Sequence, residues 1–225
     1  MVQAIVTDIE GTTSSLSFVK EVLFPYAARE LPGFVREHGQ QPEVRQLLDE
    51  ASQLAGGSLE DTQLVATLLR WMDEDRKFGP LKGLQGLMWE AGYRQGDFQG
   101  HVYEDVPRRL REWKERGLRL YVYSSGSVHA QTLLFGHTRF GDLTPLFSGY
   151  FDTGVGGKKE TASYEAIVRE LGLSAERVLF LSDVRAELDA AAAAGLRTVC
   201  LLRGEGPEVD PGPHPVARSF DDVHP

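Results

Sequence analysis

The chain is poor in cysteine: Cys200 is the single one in 225 residues, so no internal disulfide can form. Its setting, Arg197-Thr198-Val199-Cys200-Leu201-Leu202, is that of a buried strand residue rather than a nucleophile. A chain without disulfides fits a reducing compartment. A basic excess is also missing. The 24 Lys and Arg face 33 Asp and Glu, a net charge of −9. That argues against general binding to nucleic acid or to an anionic membrane, whose phosphates would repel it. A small phosphate substrate stays open, because it answers to local charge. No apolar run nears the roughly 20 residues of a membrane-spanning helix. The start of the chain enters an apolar strand without the basic and apolar regions of a leader. A cytoplasmic protein is therefore expected. The histidines His38, His101, His129, His137, His214 and His224 show no ligand-pair spacing, so all six are read as structural or exposed. There is no internal repeat and no interface stripe, and a monomer is expected.

What is present is ordinary globular material, 41% apolar and 25% charged. The length suffices for one substantial core, or a core plus a smaller insert. Apolar residues Val2, Ala4, Ile5 and Val6 open a first strand. Leu118–Tyr123, Val178–Leu181 and Thr198–Leu202 read as buried parallel strands. Each follows a helical pattern: Asp105–Arg116, Glu160–Leu171 and Ala186–Ala194, ended by Gly117, Gly172 and Gly195. Alternating strands and helices imply an α/β fold with a doubly wound parallel sheet. More than a hundred residues separate the first two strands, far beyond the dozen or so a crossover needs. The excess, residues 17–100, is helix-rich and predicts an inserted helical domain. Residues 1–16 and 101–225 would form the core. Ser58-Leu59-Glu60-Asp61 resembles a capping-box start. Leu64, Leu68, Trp71 and Met72 then fall at helical spacing, and Lys82–Ala91 forms a second helix. Its aromatic and Met side chains are read as core. Gly204–Pro215 reads as a loop.

Four segments carry chemistry. Asp8 and Glu10 end the first strand and are followed by Gly11-Thr12-Thr13. Strand alternation would put both acids on one side, at the sheet edge where open α/β folds bind ligands. Clustered carboxylates suit Mg²⁺, and an Asp there can also attack phosphorus. Ser124-Ser125-Gly126-Ser127 joins a strand to the helix Val128–Phe135, and a helix N-terminus suits a phosphate. Gly154-Val155-Gly156-Gly157-Lys158-Lys159 offers a lysine to balance phosphate charge, in an ambiguous register. Asp183 ends another strand, four residues before Glu187. A helix starting near Asp183 would put the two acids on one face. Asp183 is expected to complete the cation site, with Glu187 holding a water on the cation.

In this order the segments resemble the four motifs of the haloacid dehalogenase (HAD) phosphohydrolases, with Glu10 where Asp is usual. The likeness is closer still to the acireductone synthases, or enolase-phosphatases. It rests on Asp8-Ile9-Glu10-Gly11-Thr12-Thr13, Leu81-Lys82-Gly83-Leu84-Gln85-Gly86 with Trp89, Ser124-Ser125-Gly126-Ser127-Val128, Leu134-Phe135-Gly136 and Phe151-Asp152-Thr153. The resemblance implies a HAD-like core with a helical cap. It implies Mg²⁺, one per subunit, on Asp8, Glu10 and Asp183, with Ser124, Ser125 and Lys158 on the substrate. The implied substrate is 2,3-diketo-5-methylthiopentyl-1-phosphate of methionine salvage, enolised and then dephosphorylated. The catalytic residues would be Asp8, Glu10 and Lys158. Another Mg²⁺-dependent HAD phosphatase, or a non-enzymatic phospho-acceptor domain, remains the alternative.

Overall fold

A computed structural model describes residues 1–204 and 209–225. Part of the expected Gly204–Pro215 loop therefore lies outside the described residues. The chain divides into two compact units, Met1–Phe18 with Gln99–Pro225, and Val19–Phe98.

The first unit opens with β1 (Ala4–Thr7), buried throughout, and the single turn α1 (Leu16–Phe18). The second unit follows, with a π-helical turn at Val19–Leu23 leading into α2 (Phe24–His38), α3 (Pro42–Leu54), α4 (Asp61–Asp73) and α5 (Gly79–Gln95). Its core is apolar: Leu31, Leu48, Leu64, Leu68, Leu81 and Leu84 are fully buried. Trp89 Nε1 donates to Leu23 O at 2.8 Å and ties α5 to the π-turn. The capping box sits two residues later than the sequence suggests. Glu60, not Ser58, is the N-cap, and its N–H donates to Gln63 Oε1 at 3.3 Å. Ser58 and Asp61 have the right spacing, but Gln63 has the reach and the amide oxygen. α5 likewise starts at Gly79, where Pro80 presets the first turn.

The chain then supplies α6 (Asp105–Glu115), β2 (Arg119–Tyr123), α7 (Val128–Gly136), β3 (Gly149–Phe151) and α8 (Thr161–Leu171). β4 (Val178–Ser182), α9 (Arg185–Ala193), β5 (Arg197–Leu201) and β6 (Val216–Ala217) complete it. The described strands form one parallel sheet in the order β3-β2-β1-β4-β5-β6. Ala4, Val6, Tyr123, Phe180 and Cys200 of the sheet pack against Tyr164, Ile167 and Leu171 of α8 and Leu188 of α9. Cys200 is buried here, and burial pushes its thiol up to about 11, so it is inert at neutral pH. The edge strands β3 and β6 were not foreseen. At three and two residues they are too short to show a pattern.

Strand order reverses at β1, which has β2 on one side and β4 on the other. Ligands bind at such a reversal, outside the carboxyl ends of the strands. The loops after β1, β2 and β4 hold three of the four chemical segments.

Candidate active site

β1 stops at Thr7, so Asp8 and Glu10 lie beyond it and strand alternation does not govern them. Asp8 keeps one more rung of the sheet, its N–H donating to Leu181 O at 2.9 Å. The chain then coils: Ile9 O accepts from the N–H of Thr12, Thr13 and Ser14 at 3.1, 2.9 and 2.9 Å. This coil, rather than a pleat, orients the acids. Asp8 is buried and Glu10 half-buried. Gly11 has φ +74, and a Cβ there would stand 2.2 Å from Asp183 Oδ2. The missing side chain lets Asp183 rest against the turn that carries Asp8.

Lys158 joins the segments. Its Nζ lies 2.6 Å from Asp8 Oδ1 and 2.8 Å from Glu187 Oε2, with the side chain 10% exposed. Neighbouring Lys159 is exposed, which resolves the register. Burial opposes the Lys158 charge, but the Asp8 and Glu187 carboxylates more than offset it and raise the ammonium's pKa. Two tyrosines hold the loop. Tyr164 OH donates to Lys158 O at 2.6 Å, and Tyr123 OH donates to Gly156 O at 2.9 Å. Neither stood out in the sequence, since a tyrosine on a strand or helix reads as core.

Asp183 follows β4. Burial, reinforced by the negative charge of Asp8, pushes its carboxyl up to about 7. Its Oδ1 is buried without a hydrogen-bond partner. α9 begins at Arg185 with Val184 as N-cap, so Asp183 lies outside the helix and does not share a helical face with Glu187. Glu187 turns instead to Lys158 and accepts from Ser182 Oγ at 2.9 Å. Its carboxyl is raised by burial and by Asp8, against the pull of Lys158.

Ser124 follows β2 and is buried, its N–H donating to Phe151 O at 3.1 Å. Its Oγ accepts from Gly126 N–H at 3.3 Å, and Ser125 is half-buried. The N-terminus of α7 is already occupied. Ser127 Oγ accepts from Ala130 N–H at 3.2 Å, and Asp152 Oδ2 from Val128 N–H at 3.2 Å. These two helix N–H groups are satisfied within the protein, next to the Ser124–Gly126 turn. Gln131, which sequence reasoning passed over, supports that turn by donating to Gly126 O at 2.8 Å and Phe151 O at 2.9 Å.

Two histidines have partners in the α/β unit. His214 is buried between Thr198 and Asp189, and His101 Nδ1 accepts from Ser15 N–H at 3.0 Å. Among the described residues, no group of three or more His, Cys, Asp and Glu side chains could hold a metal by themselves. Mg²⁺ does not need such a cage; one or two carboxylates with waters and substrate oxygens suffice. The unpartnered Asp183 Oδ1 beside a second carboxylate is an arrangement that a hard cation fits.

A buried carboxylate paired with a buried lysine, at the reversal point of a parallel sheet, is an arrangement suited to phosphoryl transfer. The model of the haloacid dehalogenase-like hydrolases matches residues 2–195. Enolase-phosphatase E1 of Thioalkalivibrio sulfidiphilus is 62% identical over 223 residues, covering 99% of both chains. That of Methylococcus capsulatus is 58% identical over 226 residues, covering 100% of this chain and 99% of its own. The chain belongs to the enolase-phosphatases of the haloacid dehalogenase-like hydrolases. Among solved structures, the UTR4 protein of Saccharomyces cerevisiae matches with TM-score 0.85 and 37% identity, covering 99% of this chain and 100% of that one. CbbY of Rhodobacter sphaeroides, solved with phosphate, shares the fold at TM-score 0.60 and 19% identity, covering 99% of this chain and 96% of its own. No helix among the described residues of this enolase-phosphatase is long and apolar enough to cross a membrane.

Proposed function

We propose that this enolase-phosphatase converts 2,3-diketo-5-methylthiopentyl-1-phosphate into the acireductone 1,2-dihydroxy-3-keto-5-methylthiopentene and phosphate. The observation that carries the reading is the buried Lys158 bridging Asp8 and Glu187. Asp8 Oδ1 already receives Lys158 and the N–H of Ile9, at 2.7 Å, which orients the carboxylate for attack. Asp8 attacks phosphorus in line, the bond from phosphorus to the substrate oxygen breaks, and an aspartyl-phosphate forms. Glu10 protonates the departing oxygen and then draws a proton from the water that hydrolyses the intermediate. Lys158 balances charge on the transferring group, and Ser124 and Ser125 hold its oxygens. Asp8 and Asp183, with Glu10, would hold Mg²⁺, which is general in this kind of hydrolase. When bound it supplies positive charge to the phosphoryl group and to the enolate oxygen. Glu10 and the groups around the cation are the candidates for removing the proton in enolisation.

The helical unit would serve as the cap that excludes bulk water and reads the methylthio chain. Exchanging Trp71–Trp89 for that of a different HAD phosphatase should then change substrate preference. We also propose that this enzyme is a cytoplasmic protein and a monomer. The exposed large apolar side chains among the described residues are Met1, Leu54, Val128 and Val216, all on different segments.

The test is phosphate release from the diketo-phosphate under anaerobic conditions, with the enediol absorbance recorded. Phosphate and enediol together with Mg²⁺, both lost on chelation, are expected. Phosphate from generic esters alone would overturn the substrate assignment.

A further inference from the structure

One buried charge takes no part in the chemistry above. Arg203 lies two residues beyond β5, and its side chain is 5% exposed. Its Nε and Nη2 both donate to the carbonyl of Thr12, at 3.0 and 2.8 Å. Its Nη1 donates to both oxygens of Asp105, at 2.9 and 2.8 Å. Asp105 in turn accepts from Phe220 N–H at 2.7 Å. The guanidinium lies 4.2 Å from the ring centre of Tyr103 and 5.2 Å from that of Phe220. Burying a cation this deeply costs free energy unless geometry and hydrogen bonds satisfy it. Here its charge is met by Asp105, its donors by two acceptors, and its faces by two rings.

The choice of acceptor gives the arrangement its meaning. Thr12 belongs to the coil that Ile9 O closes, the same coil that carries Asp8 and Glu10. The next carbonyl, Thr13 O, accepts from Tyr103 N–H at 3.0 Å. Arg203 and Tyr103 thus hold two successive carbonyls of this coil. Lys158 holds the Asp8 side chain of the same coil. A coil with one anchor fixed and the other free would let Asp8 drift from the line of attack, and a misplacement near 1 Å can cost about a hundredfold in rate.

We propose that Arg203 is a positioning residue of this enzyme: it fixes the Asp8–Ser14 coil, through Thr12 O, in the register that Lys158 and Asp183 require. The inference rests on the reading of Asp8 as nucleophile. Lysine cannot replace it, because a single ammonium does not reach both acceptors in the fixed fork of a guanidinium.

The experiment measures steady-state phosphate release for Arg203→Ala, Arg203→Lys and Asp105→Asn, normalised to the folded fraction by near-UV circular dichroism. For Arg203→Ala, kcat should fall about tenfold to a hundredfold with KM within about twofold. Millimolar guanidinium should restore part of kcat, and sodium none. Arg203→Lys should stay below wild type, and Asp105→Asn should show a smaller loss of the same kind. Full kcat per folded enzyme in the arginine variants would overturn the proposal, as would a loss that only tracks the folded fraction. If Arg203→Ala does not fold, the other two variants decide. An Asp8→Asn control separates the two readings: activity there defeats the nucleophile, whereas an inactive control beside fully active Arg203 variants defeats the Arg203 inference alone.

Discussion

In the helical unit, Val19–Phe98, the buried polar side chains among the described residues are Ser52 and Gln85. Its charges lie outside in pairs, such as Arg45 with Asp49 and Asp61 at 2.9 Å each. The α/β unit does the reverse. Asp8 and Glu187 are buried, and Lys158 and Arg203 keep 10% and 5% of their side chains exposed. All four belong to the loops after β1 and β5, the first turn of α9, or the loop before α8. A buried charge is costly unless answered, so its concentration at one edge of one sheet supports the site proposed there. The helical unit buries hydrocarbon.

That contrast can be broken in graded ways. The largest effect should follow Asp8→Asn, which keeps the shape and removes the nucleophile. Phosphate release should drop at least about a thousandfold, with an unchanged circular dichroism spectrum. Next, Lys158→Met should lose about a hundredfold to a thousandfold in kcat, because the charge on the transferring group is left unbalanced. Lys159→Met, one residue away and exposed, should stay within about twofold. Equal losses would mean that the pair acts through bulk charge and that the buried bridge is unimportant.

A third effect concerns stability. The Asp183 carboxyl moves from its ordinary 3.8 to about 7 in the folded protein, so the folded state binds more protons between those values. Its contribution to stability is complete below about pH 3.8 and is lost as pH rises through 7. Without metal, the melting midpoint should fall by a few degrees between pH 5 and pH 8. Mg²⁺ selects the ionised form and should raise the midpoint more at pH 8 than at pH 5. A metal response equal at both pH values would argue against Asp183 as a ligand. The smallest effect belongs to the helical unit. Arg45→Ala should cost about 1 kcal/mol or less in urea unfolding and leave kcat unchanged.

Sequence periodicity located β1, β2, β4 and β5 and the helices of the α/β unit, because buried parallel strands are continuous apolar runs and Gly117, Gly172 and Gly195 end the helices. Gly117, Gly172 and Gly195 all adopt positive φ. Asp8 and Asp183 stood out as chemistry-bearing residues at segment ends, whereas Lys158 was chosen over Lys159 by the family resemblance alone. What stayed hidden depends on contacts between distant segments. No pattern in the chain says that Arg203 meets Thr12, that Tyr164 supports Lys158, or that Glu187 turns to the lysine. The end of the first strand was placed too late for a related reason. A strand's last residue is decided by where its partners stop, and the coil after Thr7 depends on Gly11 yielding space to Asp183.

The central claim is that Asp8 carries the phosphoryl group. Rapid acid quench of the enzyme during turnover, followed by peptide mass analysis, tests it most directly. A mass gain of one phosphoryl group on the peptide containing Asp8, absent in Asp8→Asn, is the predicted result. Undiminished phosphate release by Asp8→Asn, or the phosphoryl group on another residue, would contradict it.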